Sequence, residues 1–206
     1  MRAVKTRQLV AIGASMGGTV VLESLLARLP PDAPPIVIVQ HTLPHFVAPL
    51  VRQLGAVGRM RVVEAADGAS LSPGMACVAP GRSHLVVERQ GEELRTVLAL
   101  GPAVRFHRPS VDVLFHSLVG LPHVEIVAVL LTGMGRDGAE GLLALRRAGA
   151  QTIAQDRGSS AIFGMPKEAI ERGAARHISS LDDLPHRILA CFGPRRLSVP
   201  VVSRSA

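Results

Sequence analysis

The sequence is poor in aromatic residues, with no Trp, no Tyr and only five Phe among 206 residues. Hydrophobic residues make up 48% of the chain, so we predict one sizeable domain with an aliphatic core. Proteins that stack nucleic-acid bases on aromatic rings need more such side chains. The formal net charge of +7 attracts acidic partners. A solvated Arg-rich surface explains that charge equally well, and we expect no nucleic-acid partner.

Cysteines and long apolar runs are also scarce. The two cysteines, Cys77 and Cys191, fit no metal or redox motif and are expected to be buried free thiols. The basic N-terminus precedes an apolar run that glycines interrupt, which argues against a secretory signal. No segment reaches the ~18 uninterrupted apolar residues of a membrane span. We therefore expect a cytoplasmic protein without membrane insertion.

A glycine-rich turn follows the first apolar run and precedes a helical pattern. The run begins at Leu9, Ser15 lies in the turn, and the helix is expected from about Gly18 to Leu29. Such a turn lifts one side chain above the carboxyl end of a sheet, where helix N–H groups point towards it. Ser15 is thus a candidate nucleophile, the turn is a candidate phosphate site, and a helix N-cap is the simplest alternative.

Apolar runs alternate with helical patterns along most of the chain, as at Ile36–Val39 and Val124–Leu131. This alternation predicts an α/β fold with a doubly wound, mostly parallel, Rossmann-like sheet. Between Arg61 and Leu100, short alternating runs separated by turn signals predict an antiparallel section beside the main sheet, with a hairpin turn at Gln90–Gly91. We assign residues 1–193 to one domain and residues 194–206 to a basic, frayed tail.

Three strand ends carry residues of chemical interest: Ser15, His41 and Asp137. In doubly wound sheets, ligands bind beyond the carboxyl ends of the strands. A serine hydroxyl becomes a good nucleophile when a histidine takes its proton and a carboxylate orients that histidine. Taken singly, His41 could only cap a strand and Asp137, beside Gly138, could only be a turn residue. Their joint placement favours a catalytic triad.

Cofactor and metal sites are disfavoured by spacing. The first loop lacks the Gly-x-Gly-x-x-Gly pattern of dinucleotide sites and the Gly-Lys-Ser/Thr of nucleotide loops. His41 and His45 are four residues apart, but a proline between them argues against a shared helical face. His107, His116 and His123 have no ligand spacing. We predict no cofactor and no catalytic metal.

Several segments together resemble the catalytic domain of chemotaxis protein-glutamate methylesterases, the CheB family. The resemblance runs in order from about Leu9 to Leu189, and the segments that carry it are Ile12–Gly18, Val39–Thr42, Val78–Gly81, Gly101–Pro102, His107–Phe115, Leu131–Gly138 and Phe163–Ala169.

The resemblance implies a serine hydrolase that removes methyl esters from glutamates of chemoreceptor cytoplasmic helices and releases methanol. Family members often also deamidate receptor glutamines. The family's nucleophile falls on Ser15, its base on His41 and its aspartate on Asp137. The Met134 N–H matches a position proposed for the oxyanion hole. The Met16 N–H is added from the position of the helix start.

The chain departs from the family pattern in several ways. Met16 stands where the family commonly has Thr. Arg105–Phe106 stands where many relatives have Asn-Arg, and Arg105 and Arg108 are expected to bind the acidic substrate. The chain starts almost at the first strand, so we expect no N-terminal receiver domain.

Two further hypotheses concern regulation and activity. Without a receiver domain in the chain, a separate regulatory partner could control the enzyme. The competing hypothesis is a catalytically silent chemosensory scaffold of the same fold.

Overall fold

The computed structural model describes residues 7–193. Seven strands form one parallel sheet in the order β3-β4-β2-β1-β7-β8-β9, and β5 and β6 form a separate antiparallel pair. The strands are β1 Arg7–Ala14, β2 Ile36–Gln40, β3 Arg61–Glu64, β4 Met75–Val78, β5 His84–Gln90, β6 Glu93–Ala99, β7 Val124–Leu130, β8 Gln151–Gln155 and β9 His177–Ser179. The helices are α1 Gly18–Arg28, α2 Pro44–Val57, α3 Val111–Ser117, α4 Ala139–Arg147, α5 Met165–Glu171 and α6 Leu184–Ala190.

Strand β1 lies at the point where the order of the sheet reverses. It pairs with β2 on one side, where Ala14 is opposite Gln40, and with β7 on the other, where Gly13 is opposite Leu130. After β1, the chain forms β2, β3 and β4 on one side of that strand. From β7 onward it forms β7, β8 and β9 on the other side. The loops that follow β1, β2 and β7 therefore meet at one point, which is where open α/β sheets form their sites.

Two aliphatic cores cover the two faces of the sheet. One is built with α1, α2 and α6, and the other with α3, α4, α5 and the β5–β6 pair. The strands at the centre are buried on both faces, as the continuous apolar runs predict. Phe115 of α3 is fully buried, whereas Phe46 and Phe106 are exposed. The predictions of a doubly wound sheet and of an aliphatic core are confirmed.

The prediction for the middle of the chain is partly wrong. β5 and β6 form the expected hairpin around Gly91, but β3 and β4 are parallel members of the main sheet, with β4 next to β2. β3 has only four residues, with two apolar residues between polar ends, and this pattern does not indicate whether its neighbour is parallel or antiparallel. The three-residue strand β9 was not predicted. The predicted tail, residues 194–206, lies outside the described residues.

The two thiols are free but differ in burial. Cys77 is buried in β4, where burial raises the pKa of its thiol to about 11 against a smaller opposing effect of Arg61. Cys191 is only half-buried, so the prediction of a buried thiol is wrong there. Within residues 7–193, no helix is both long enough and apolar enough to cross a bilayer.

Replacement of Phe115 tests whether α3 depends on its core contacts. Phe115→Ala should lower the free energy of unfolding by about 3–5 kcal/mol, because the removed ring leaves a cavity. Val119→Ala, at an exposed position after α3, is the control. Its free energy of unfolding should stay within about 0.5 kcal/mol of the wild-type value. Urea unfolding measures both. Equal urea midpoints for the two variants would contradict the prediction, because they would show that the core fills the space left by the ring without losing stability.

Candidate active site

Ser15 lies in the turn between β1 and α1. Its N–H donates to the Thr132 carbonyl at 3.0 Å, and its carbonyl accepts from Gly18 N–H at 2.8 Å. Gly17 (φ 79°) is the N-cap residue of α1, and no side chain caps this helix. The hydroxyl of Ser15 is therefore not used as an N-cap.

The loop after β7 approaches Ser15 at Gly133. A Cβ atom on Gly133 would lie 2.7 Å from the Ser15 Cβ and 2.3 Å from the Met165 Sδ. Thr132 fixes the same contact, since its hydroxyl donates to the Met16 carbonyl at 3.0 Å and accepts from the Ile162 N–H at 2.9 Å. Only glycine at position 133 lets the two loops come so close.

His41 follows β2, next to the Ser15 turn. Its backbone N–H donates to the Ala14 carbonyl at 3.0 Å. The buried side-chain amide of Gln40 donates to the carbonyls of Ser15 at 2.8 Å and of His41 at 3.0 Å. Neighbouring strands are about 4.8 Å apart, so Ser15 and His41 are adjacent, and Gln40 fixes their spacing.

Asp137 follows β7 and is only 2% exposed. Its Oδ2 lies 2.8 Å from the His41 Nε2 and accepts from the Val111 N–H at 2.8 Å. Its Oδ1 accepts from the Ser110 hydroxyl at 2.8 Å and from the Asp112 N–H at 3.1 Å. The carboxylate therefore occupies the N-terminus of α3, with Ser110, the N-cap residue of that helix, as one of its donors.

These contacts keep Asp137 ionised. Burial alone would raise the pKa of this carboxyl, but the hydrogen bonds with His41, Val111, Asp112 and Ser110 outweigh burial and lower the pKa to about 2. A carboxylate that accepts several hydrogen bonds is stabilised in its charged form.

The charge of Asp137 fixes the tautomer of His41. An ionised carboxylate only accepts hydrogen bonds, so the His41 Nε2 carries the proton and Nδ1 carries the lone pair. The Nδ1 is buried and has no hydrogen-bond partner among residues 7–193. The nitrogen free to take a proton is thus Nδ1, the reverse of the chymotrypsin arrangement, where the aspartate holds Nδ1.

His107 stacks on His41, with ring centroids 3.7 Å apart and an interplanar angle of 8°. Burial, followed by the neighbouring His41, lowers the pKa of His107, although Asp137 acts in the opposite direction. A neutral His107 therefore covers one face of the His41 ring. We did not predict this contact, because no local spacing connects the two histidines.

Two clefts meet at this site. One, of about 490 Å³, is lined by Ser15, Met16, Met134, Arg136, Asp137 and neighbouring residues of the 105–107 loop. The other, of about 330 Å³, is lined by His41, Pro44, Arg108 and their neighbours. Phe106 and His107 border both clefts. The backbone N–H groups of Met16 and Met134 donate to no acceptor within residues 7–193, so they are available to a negative charge in the first cleft.

The predicted substrate-binding arginines are already engaged within the protein. Arg105 lines the first cleft, but its guanidinium pairs with Asp112 at 2.9 Å and with Glu140 at 2.6 Å. Asp112, in turn, accepts from the Gly141 N–H at 2.8 Å. Arg108 lines the second cleft and donates to the Gly101 carbonyl at 2.9 Å.

Burial raises the pKa of Asp112, against the hydrogen bonds from Gly141 and Arg105, which lower it. The hydrogen bond to Asp112, and then that to Glu140, raises the pKa of Arg105. The contacts of Arg105 thus anchor the loop beside the site to α3 and α4.

No cluster of three or more His, Cys, Asp or Glu side chains in the described part of the chain has the arrangement of a metal site. The predicted absence of a metal stays a prediction.

A doubly wound sheet with a serine, a histidine and an ionised aspartate at its switch point defines the class of α/β domains that bind ligands at the strand ends. The model of the CheB methylesterase family matches residues 10–188. The chain therefore belongs to the CheB methylesterase family.

Relatives and a solved structure agree with this assignment. The chain is 52% identical over 183 residues to the "Protein-glutamate methylesterase/protein-glutamine glutaminase 1" of Anaeromyxobacter dehalogenans, covering 89% of this chain and 52% of that protein. It is 46% identical over 187 residues to the corresponding protein of Paraburkholderia xenovorans, covering 91% of this chain and 52% of that protein.

The crystal structure of the Thermotoga maritima CheB methylesterase catalytic domain matches with a TM-score of 0.86 and 34% identity, over 89% of this chain and 98% of that one. The chain spans about half the length of the curated relatives it matches.

Asp137→Asn tests the electrostatic account of the site. A lowered pKa contributes stability above the ordinary carboxyl pKa of 3.8, and this stability is lost as the pH falls towards about 2. The stability difference between wild type and variant should thus shrink by about 2 kcal/mol between about pH 5 and pH 2.

Denaturant unfolding at each pH measures this difference. Asp182→Asn, at a side chain that is 94% exposed, is the control for loss of one surface carboxyl. A wild-type to Asp137→Asn difference that stayed constant over this range would contradict the account.

Proposed function

We propose that this chain is a protein-glutamate methylesterase that also deamidates protein glutamines, with Ser15 as nucleophile, His41 as base and Asp137 as the orienting carboxylate. The observation that carries the proposal is the hydrogen bond of 2.8 Å between the His41 Nε2 and an ionised Asp137, which leaves the buried Nδ1 without a hydrogen-bond partner among residues 7–193. The names of the relatives from Anaeromyxobacter and Paraburkholderia support both activities.

The first half of the reaction forms the tetrahedral intermediate on the serine. The Ser15 Oγ attacks the ester carbonyl while the His41 Nδ1 takes the hydroxyl proton. The new negative charge on the carbonyl oxygen is stabilised by the N–H groups of Met16 and Met134. Imidazolium forms between Asp137 and the substrate, and the carboxylate stabilises it without taking its proton.

The second half releases the acid. His41 returns its proton to the departing methoxide, which leaves as methanol, and the C–O bond to methanol breaks. Water then attacks the acyl-enzyme while His41 takes one of its protons. The bond between the acyl carbon and the Ser15 Oγ breaks, His41 gives that proton to the Oγ, and glutamic acid is released. With glutamine as substrate the leaving group is ammonia, and the same groups act in the same order.

The substrate is a methylated chemoreceptor cytoplasmic helix, and the protein is cytoplasmic. Residues 1–193 act as one catalytic domain, and a separate partner is the candidate regulator. The positive net charge of +7 suits a substrate helix rich in glutamate. Arg136, which is exposed in the first cleft, is a suitable contact for such a helix, because its guanidinium forms no ion pair among residues 7–193.

Ser15→Ala tests the nucleophile. Methanol release from a methylated receptor cytoplasmic fragment should fall by more than about a thousandfold, because no other group forms the acyl intermediate. Ser24→Ala, in α1, is the matched control and should retain wild-type release. Near-native circular dichroism of both variants excludes unfolding as the cause.

The outcomes separate the enzyme from the scaffold. Release that does not depend on Ser15 would remove this residue from the mechanism. No release from the wild type, together with no labelling of Ser15 by a serine-directed phosphonate, would favour a catalytically silent scaffold.

Ionic strength tests the electrostatic part of the proposal. The kcat/KM on the acidic receptor fragment should fall roughly fivefold between about 0.05 and 0.5 M NaCl, because salt screens attraction between exposed charges. Hydrolysis of a small neutral ester under the same conditions is the control and should change little. Equal salt dependence for the two substrates would contradict steering by charge.

A further inference from the structure

Phe106 is the most exposed large apolar side chain of the site region, with an accessible fraction of 100%. It stands at the tip of the loop between Val104 and His107 and borders both clefts. Leaving a phenylalanine in water forgoes about 2–3 kcal/mol of burial free energy. The chain has only five Phe, so such a position calls for a physical reason.

The backbone of this loop is strained in a way that holds the ring outward. Val104 and His107 exchange two hydrogen bonds, of 3.0 and 2.9 Å, which close a two-residue turn. Both central residues have positive φ, 51° for Arg105 and 67° for Phe106. Asn and Gly normally occupy such turns, and other residues cost roughly 1–3 kcal/mol each in this conformation.

Both flanks of the turn are fixed to the catalytic region. The Arg105 guanidinium is paired with Asp112 and Glu140, and the His107 ring is stacked on His41. The tip therefore has a defined position relative to Ser15 and His41. Rigid aromatic side chains presented in this way are efficient contact residues because they lose little conformational entropy on binding.

Two further exposed apolar side chains line the first cleft together with Phe106. Met16 is 58% exposed and Met134 is 68% exposed, and both line the cleft that contains Ser15. The three side chains together form an apolar rim around the nucleophile, which we call the Phe106 rim. A methyl ester is too small to fill a cleft of about 490 Å³ and also contact this rim.

We propose that Phe106 is a specificity-determining residue that packs against an apolar side chain of the polypeptide carrying the scissile glutamate ester. This inference rests on the proposed function and adds to it the recognition of the substrate chain. Phe106 takes no part in proton transfer or in bond formation. It raises the affinity for the polypeptide and leaves the chemistry at Ser15 unchanged.

Substitutions at Phe106 test the inference by distinguishing the effect of the apolar ring from the effect of the turn conformation. Phe106→Asn removes the apolar ring but suits a positive φ, and Phe106→Leu keeps an apolar side chain. With the methylated receptor fragment, Phe106→Asn and Phe106→Ala should raise KM about fivefold or more, with kcat within about twofold of wild type. Phe106→Leu should restore most of the affinity.

Two controls accompany these variants. Val57→Ala removes an exposed apolar side chain from the distant end of α2, about 20 Å along the helix from Pro44, and should leave KM unchanged. Hydrolysis of p-nitrophenyl acetate, which carries no polypeptide, reports on Ser15 and His41 and should show no comparable rise in KM.

Three results would overturn the inference. Wild-type KM for Phe106→Asn and Phe106→Ala, with active wild-type enzyme, would overturn it and leave the proposed function standing. A lower mass in solution for Phe106→Ala, with unchanged KM, would assign the ring to contact with a second copy of the chain. No methanol release from the wild type would overturn the inference together with the proposed function.

Discussion

The buried carboxylate of Asp137 is the group on which the site depends. An unpartnered buried charge is costly, so its position is dictated by its donors: the Ser110 hydroxyl and two N–H groups of the first turn of α3. The fourth contact is the Nε2 of His41. One interaction thus joins the loop after β7, the start of α3 and the end of β2, and it also fixes which nitrogen of His41 is free.

Much of the fold was predictable because the central strands are buried on both faces and therefore have continuous apolar sequences, as in β2 (Ile36–Gln40). The errors lie where this signal is weak. The partly buried edge strand β3 has only two apolar residues between polar ends, which does not distinguish a parallel from an antiparallel neighbour. The strand β9 has only three residues, too few for a period.

The candidate site likewise contains residues that the sequence could place and contacts that it could not. Ser15, His41 and Asp137 could be placed near one another because Ser15 and His41 directly follow β1 and β2, and Asp137 lies in the loop after β7. Neighbouring parallel strands bring their carboxyl ends together. The stacking of His107 on His41 follows from a loop whose path no local pattern predicts. The role of Arg105 depends on Asp112 and Glu140, which the fold brings to it. Comparison with the family pattern assigned this arginine to the substrate.

The loop that carries Arg105 connects catalysis with recognition. Its two residues at positive φ have a conformational cost, which the two hydrogen bonds between Val104 and His107 oppose. Further stabilisation comes from the ion pairs of Arg105 and the stacking of His107. The stacking of His107 on His41 therefore supports the His41 ring and also helps to hold Phe106 in water. A substrate that covers the Phe106 rim would bury the exposed ring and, at the same time, exclude water from the cleft that contains Ser15, where a lower dielectric strengthens electrostatic interactions.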